Sequence, residues 1–249
     1  MPVRGFWSNA FRLGLYDALV PVNYDQSLQE AWSALEAGPG DHVLDAGCGS
    51  GRLLLHARKW LAGGGRLTCV DIDEPGLAFA RRRARRLGVE GRVEFRNTDL
   101  CELAELALPP FDAVLAHFSL YTLPTNTDRR LALEQIASAI RSGGRCVFVV
   151  PSESYRAEAI IDDASALEKS RRDVPWWSRT LRRHVLYRFT RFGLRRIETA
   201  LDHDLFHRYS RAEIEDQCSA AALTDVHITP VYASCAYRVA ARRAAGPAR

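Results

Sequence analysis

Residues 43–51 read Val43-Leu44-Asp45-Ala46-Gly47-Cys48-Gly49-Ser50-Gly51, and Arg52-Leu53-Leu54-Leu55-His56 follows. An apolar run enters a glycine cluster, and an amphipathic run leaves it. That order predicts a buried strand over 42–47, a tight loop and a helix over 51–62. Glycine lets the backbone turn sharply and lets a ligand lie against the main chain. A dinucleotide-binding loop would read GxGxxG, its third glycine packing helix on strand. Here Arg52 holds that third place and the spacing is GxGxG. Asp45, two residues before the first glycine, would repel a pyrophosphate and suits a ligand with positive charge and amine donors. Both features oppose a nicotinamide-dependent oxidoreductase.

The same alternation continues downstream. Strands are expected over 66–72, 92–97, 111–118 and 145–151. Between them lie a helix that Pro75 starts and Gly88 ends, and a helix over 128–141 ended by Gly143 and Gly144. Strands apolar on both faces and separated by helices mean βαβ units, hence an α/β, doubly wound, mostly parallel sheet. After Pro151 the alternation stops. Ser210 with Glu213 reads as a capping box opening a helix to about Ala222. Residues 225–232 and 234–242 read as two closing strands, with Pro230 placing the first at an edge or bulge.

The 249 residues are 47% hydrophobic and 26% charged, an ordinary globular composition that excludes a disordered chain. The six cysteines form no CxxC pair and read as reduced thiols, which points to a reducing, cytoplasmic setting. No signal-peptide core and no membrane-length apolar run is present. The net charge is +4, yet residues 168–196 carry ten basic and two acidic side chains, which leaves the remainder at −4. A basic segment of that kind suits an anionic partner.

Two further acids stand where a nucleoside could meet them. Asp71 ends the second strand about twenty residues past the glycine loop, placed to accept both hydrogens of a ribose diol. Asp99, in Asn97-Thr98-Asp99-Leu100, can accept from an adenine amino group or cap the turn after it. Asp45 can also serve as a helix cap, and Asp73 reads as helix-start chemistry before Pro75.

With VLDAGCGSG (43–51), VDID (70–73), NTDL (97–100), FDAVLAHFSLYTLP (111–124) and IRSGGRCVFVV (140–150), the chain resembles the class I, Rossmann-like, S-adenosylmethionine-dependent methyltransferases of small-molecule type. The resemblance implies a seven-stranded sheet whose last strand is antiparallel, with an inserted helical cap. It implies that Gly47, Gly49 and Gly51 line the methionine part of the cofactor. Asp71 would hold the ribose, Ile72 would pack on the adenine, and Asp99 with Leu100 would meet its edge. His117, ending the fourth strand, would stand beside the transferable methyl, or serve only as a core histidine. Tyr16 or Tyr24 would reach the methionine carboxylate, or pack in a lid.

In that family cap sequences choose the acceptor. Residues 1–40 are expected to form an N-terminal helical lid, 41–151 the cofactor-binding core, 152–205 a cap insertion, 206–242 the completing helix and hairpin, and 243–249 a tail. The aromatic lid and cap suit a moderately hydrophobic small molecule such as a polyketide, quinone, isoprenoid or lipid. His117-Phe118-Ser119-Leu120 replaces the Asn/Asp-Pro-Pro-aromatic loop of base methylation, so no nucleic-acid partner is expected. His117, Tyr121 and His207 are the candidate catalytic groups, and no metal is assigned. Trp177, Leu181, Val185, Phe189 and Phe192 fall on one helical stripe among arginines. That helix can pack on the core, touch an anionic membrane or admit an anionic substrate. The competing readings are a lipid methyltransferase docked through 168–196 and a non-catalytic cofactor-binding module.

Overall fold

A computed structural model of the chain describes residues 19–170, 180 and 186–245. Seven strands make one sheet: β1 (His42–Ala46), β2 (Arg66–Asp71), β3 (Val93–Asn97), β4 (Phe111–His117), β5 (Ile140–Pro151), β6 (Leu223–Val231) and β7 (Ala236–Arg243). Their order is β3-β2-β1-β4-β5-β7-β6. Strands β1 to β5 pair in parallel, and β7 runs antiparallel to both β5 and β6. The expected sheet is thus present, with the Pro230 strand at its edge.

The helices are α1 (Val22–Leu35), α2 (Leu53–Ala62), α3 (Glu74–Leu87), α4 (Asn126–Ala139), α5 (Ala157–Ser170), α6 (Tyr187–Asp202) and α7 (Arg211–Ala220). Local chemistry sets their ends. Asp73 caps α3 by accepting from the Gly76 N–H at 3.0 Å, and Gly88 closes it in the left-handed region at φ 69°. Helix α4 begins earlier than expected, because Thr125 and Asp128 form a capping box. It also ends earlier. Ile140 is already extended, and β5 runs through Gly143 and Gly144 across a register shift against β4. A side chain at Gly144 would meet the Asp112 carbonyl oxygen at 2.8 Å, so the two strands close there only over a glycine. Ser210 caps α7 by accepting from the Glu213 N–H, whereas the Glu213 carboxylate turns to His207 and Gln217, so half of the expected box forms.

Helix α1 lies against β4, β5 and β7 and against α2, burying Leu28, Ala31 and Leu35. It is a covering layer of the sheet, and residues 1–18 of the expected lid lie outside the described residues. Helices α5 and α6 of the insertion pack on each other, and α5 also packs on α1. Trp177, Leu181 and Val185 of the expected stripe lie outside the described residues, as does Tyr16. Among the described residues, no helix is long and apolar enough to cross a membrane. All six cysteines are free thiols.

Candidate functional site

The carboxyl ends of β1, β2 and β4 open into one cavity of about 1100 Å³. The glycine loop forms its floor. The Gly47 and Cys48 N–H groups donate to the Val70 carbonyl at 2.8 and 2.9 Å, which ties the loop to β2. The Asp71 carboxylate fixes the rest, accepting from the Gly49 N–H at 2.7 Å and from the Asp73 N–H at 2.8 Å. Gly47, at φ 85°, has no room for a side chain, since a Cβ there would fall 2.3 Å from the Ser119 Cβ. Ser119 in turn donates to the Ala46 carbonyl, so β4's exit is clamped to β1's.

The three glycines do different things. Gly47 and Gly49 line the cavity, with Cys48 and Ser50. Gly51 does not. A Cβ on it would lie 2.7 Å from the Ala80 Cβ, so its bareness seats the loop on α3, the packing job a third dinucleotide-loop glycine performs. Arg52, beside it, grips Asp25 of α1 through Nε and Nη2, the Nε–Oδ1 distance being 2.7 Å. Burial works to raise the Asp25 carboxyl, but His56 and Arg52 outweigh it and hold the pKa at about 2. This pair joins α1 to the glycine loop across the cavity edge. Asp25 carried no signal in the sequence, because its partner lies on another helix.

Asp45 sits behind the loop, 4% exposed. Burial and then the neighbouring Asp71 charge raise its pKa to about 8. Asp71 is raised as well, by burial first, against the lowering effect of its backbone donors. Asp45 therefore holds its proton at neutral pH, and the Asp71 carboxylate, which lines the cavity, is the group in the floor that favours a cationic ligand such as a sulfonium bearing an ammonium group. The nucleoside end fits too. Ile72, 41% exposed, and Leu100 line the cavity as apolar surfaces, and Asp71 and Asp99 line it as carboxylates. Asp99 serves two roles, since its Oδ1 accepts from the Cys101 N–H at 3.0 Å while the residue still lines the cavity.

The opposite wall is aromatic. Tyr24, His117, Phe118, Tyr121, Tyr155 and Tyr232 all line it. His117 is 6% exposed, and its Nε2 lies 2.9 Å from Ser27 Oγ. The Ser27 hydroxyl hydrogen goes to the Tyr24 carbonyl, so His117 Nε2 must be the donor of that pair. Burial, then the proximity of Asp25 and His56, set the imidazole pKa at about 3. The ring is therefore neutral at physiological pH, a weak base whose Nδ1 carries the free lone pair. It is a wall histidine that lines the cavity, its buried Nδ1 without a hydrogen-bond partner among the described residues. His207, the other expected base, is engaged with Glu213 at 2.8 Å, stacks edge-on to Tyr209 at 4.7 Å, and does not line the cavity. Tyr121 does line it, 3% exposed, with its ring 5.1 Å from Phe206. Exposed Phe189, Phe192 and Leu205 complete the mouth. Of the basic residues on α6, Arg191 and Arg195 pair with Glu158 of α5. Among the described residues no group of three side chains is arranged to hold a metal ion.

The fold and this floor define a class: the sheet order and the cavity at its carboxyl edge are those of a Rossmann-like methyltransferase fold. Residues 43–144 match the family described as a methyltransferase domain. The chain is 34% identical over 114 residues to the ribosomal protein L11 methyltransferase of Burkholderia mallei (strain NCTC 10229), covering 46% of this chain and 33% of that protein. It is 31% identical over 143 residues to the methyltransferase GfsG of Streptomyces halstedii, covering 57% and 47% respectively. The chain thus spans a third to a half of the length of these curated relatives. Geranyl diphosphate C-methyltransferase of Streptomyces coelicolor A3(2), solved with Mg²⁺, geranyl-S-thiolodiphosphate and S-adenosyl-L-homocysteine, shares the fold. Its TM-score is 0.59 at 17% identity over 88% of this chain and 76% of that one.

Proposed function

We propose that the protein transfers a methyl group from S-adenosylmethionine to a moderately hydrophobic small molecule. The observation that carries this reading is one continuous cavity with two unlike halves. The glycine loop, Asp71, Ile72, Asp99 and Leu100 line one half, and an aromatic wall lines the other. Such an enzyme acts chiefly by holding its acceptor in line with an electrophilic methyl group. In this reading Asp71 and Asp99 orient the nucleoside, Ile72 and Leu100 exclude water from its base, and Gly47 and Gly49 allow close approach of the main chain. Asp71 favours a cationic ligand electrostatically. Tyr24, Phe118 and Tyr121 shape the acceptor's seat, with Phe189 and Phe192 of the insertion at its entrance.

Docking of 168–196 on an anionic membrane gains no support from α6, where Glu158 neutralises two of the arginines. Calorimetric titration of the full chain tests the proposal. S-adenosylhomocysteine is expected to bind in the micromolar range common for metabolic ligands, with NAD and NADP far weaker. Binding of NAD without binding of S-adenosylhomocysteine would overturn it.

A further inference from the structure

One polar atom of the cavity wall has no use within the described fold. His117 Nδ1 is buried and has no hydrogen-bond partner among the described residues. The other nitrogen of the ring is committed. The Ser27 hydroxyl gives its hydrogen to the Tyr24 carbonyl at 2.9 Å, so it accepts from His117 Nε2, also at 2.9 Å. That relay fixes the tautomer: the hydrogen stays on Nε2 and Nδ1 keeps a bare lone pair. Burial holds the ring uncharged at neutral pH, so the lone pair stands ready to accept a hydrogen bond.

A buried acceptor left unmatched costs about 1–3 kcal/mol. Packing alone would be served better by an apolar side chain, since Tyr24 and Phe118 each stand edge-on to the imidazole at 4.7 Å. The chain instead holds the imidazole in place. His117 ends β4 in register with Val149, and the Phe118 N–H donates to the Val149 carbonyl at 3.0 Å. Phe118 then takes a positive φ of 52°, and Tyr232 one of 54°, a region bulky side chains avoid. Their rings meet at 5.3 Å, and Tyr24, His117, Phe118 and Tyr232 all line the cavity. Strain of this kind persists where a structure over-determines a functional surface.

Resting on the proposed function, we infer that the partner of His117 Nδ1 is a hydroxyl of the acceptor molecule, and that this acceptor is a hydroxylated aromatic compound. The O–H donates to Nδ1, and the molecule's ring lies among Tyr24, Phe118 and Tyr232, where offset and edge-on ring contacts are favourable. Access to the buried atom requires a small turn of its neighbouring rings, of which Tyr24 is only half-buried. Strand β4 pairs with β1, which leads into the glycine loop, so the oxygen is held beside the cofactor half of the cavity. A hydrocarbon of the same shape would leave the lone pair unmatched. His117 thereby selects the acceptor and orients its oxygen.

Phenol and toluene, alike in shape and different in the donor, test this on the full chain saturated with S-adenosylhomocysteine. Nitrogen-15 NMR of labelled histidine side chains reads the ring directly, with His117→Asn identifying its resonances. The Nε2–H tautomer is expected, with Nδ1 free of hydrogen bonds. Phenol should move the Nδ1 resonance upfield, the direction of accepting a hydrogen bond, and toluene should leave it in place. In His117→Phe the phenol affinity should fall about tenfold, the scale of a buried donor left unpaired, while that of toluene stays within about twofold. Nδ1 already hydrogen-bonded before phenol is added, an equal response to both probes, no binding of phenol, or an unchanged phenol affinity in His117→Phe overturns the inference. Should that variant fail to hold S-adenosylhomocysteine, the resonance measurement on the unaltered chain decides alone. Failure of S-adenosylhomocysteine to saturate the unaltered protein counts instead against the proposed function, so the two failures are distinct.

Discussion

Replacing Asp71 by alanine should weaken the unliganded fold as well as the ligand site. Its carboxylate accepts from Gly49 in the loop and from Asp73 at the start of α3, at 2.7 and 2.8 Å. A hydrogen bond onto a charged acceptor contributes about 1.5–3 kcal/mol. Burial penalises this carboxylate, which favours the lower end, so the two bonds amount to about 3 kcal/mol. Asp45, whose pKa Asp71 helps to raise, is protonated at neutral pH, so removing the Asp71 charge returns little there. The loss is about 3 kcal/mol, or roughly 6–12 °C in Tm for a chain of this size. Thermal unfolding without ligand reads that quantity. Titration with S-adenosylhomocysteine should show a further loss of about 1.5–3 kcal/mol in affinity, from the missing ribose acceptor. A variant that melts with the parent would refute the clamp, and one that binds with parental affinity would refute the ribose assignment.

Gly47→Ala should abolish S-adenosylhomocysteine binding and lower stability by at least about 1–2 kcal/mol from the left-handed backbone alone, before the overlap with Ser119 is counted; denaturant unfolding and calorimetry measure both. Asp45 has a folded pKa of about 8 against an ordinary 3.8, so the native state holds a proton that the unfolded chain loses, and stability falls as pH rises from about 4 to 8. Asp45→Asn should therefore gain on the parent between pH 5 and pH 8, by at most about 1.4 kcal/mol per pH unit, in urea titrations at the two pH values. His117 works in the opposite sense. With a folded pKa of about 3 against 6.5, its contribution falls as pH drops below 6.5, and His117→Phe should flatten the acid limb of the stability profile. Asp25→Asn should cost about 1–3 kcal/mol at neutral pH, lost from the parent too as pH falls from about 4 toward 2, and the same unfolding series shows it.

The sheet was legible because β1, β2, β4 and the second half of β5 are buried on both faces and read as continuous apolar runs. The seven-strand count with its antiparallel last strand followed from the resemblance, and the edge hairpin from Pro230. The early start of β5 was not legible, since Gly143 and Gly144 read as a helix stop although the strand runs through them. Within the site, short-range features were readable: the glycine loop, the Asp73 cap, the acid closing β2. Features that depend on distant partners were not. Gly51 faces Ala80 on another helix, and Asp25 meets Arg52 across 27 positions. His207 turned to a glutamate that looked like a capping residue. The positive φ of Phe118 and Tyr232 leaves no trace in composition, because glycine or asparagine would have been the expected residue there.

A crystal structure of the complex with S-adenosylhomocysteine tests the account most directly. The adenine is expected between Ile72 and Leu100, with the ribose hydroxyls on Asp71, the main chain of Gly47 and Gly49 against the amino-acid portion, and the sulfur facing the wall of Tyr24, His117 and Phe118. A nucleoside bound away from Asp71 and Asp99, or a sulfur directed away from that wall, would contradict it.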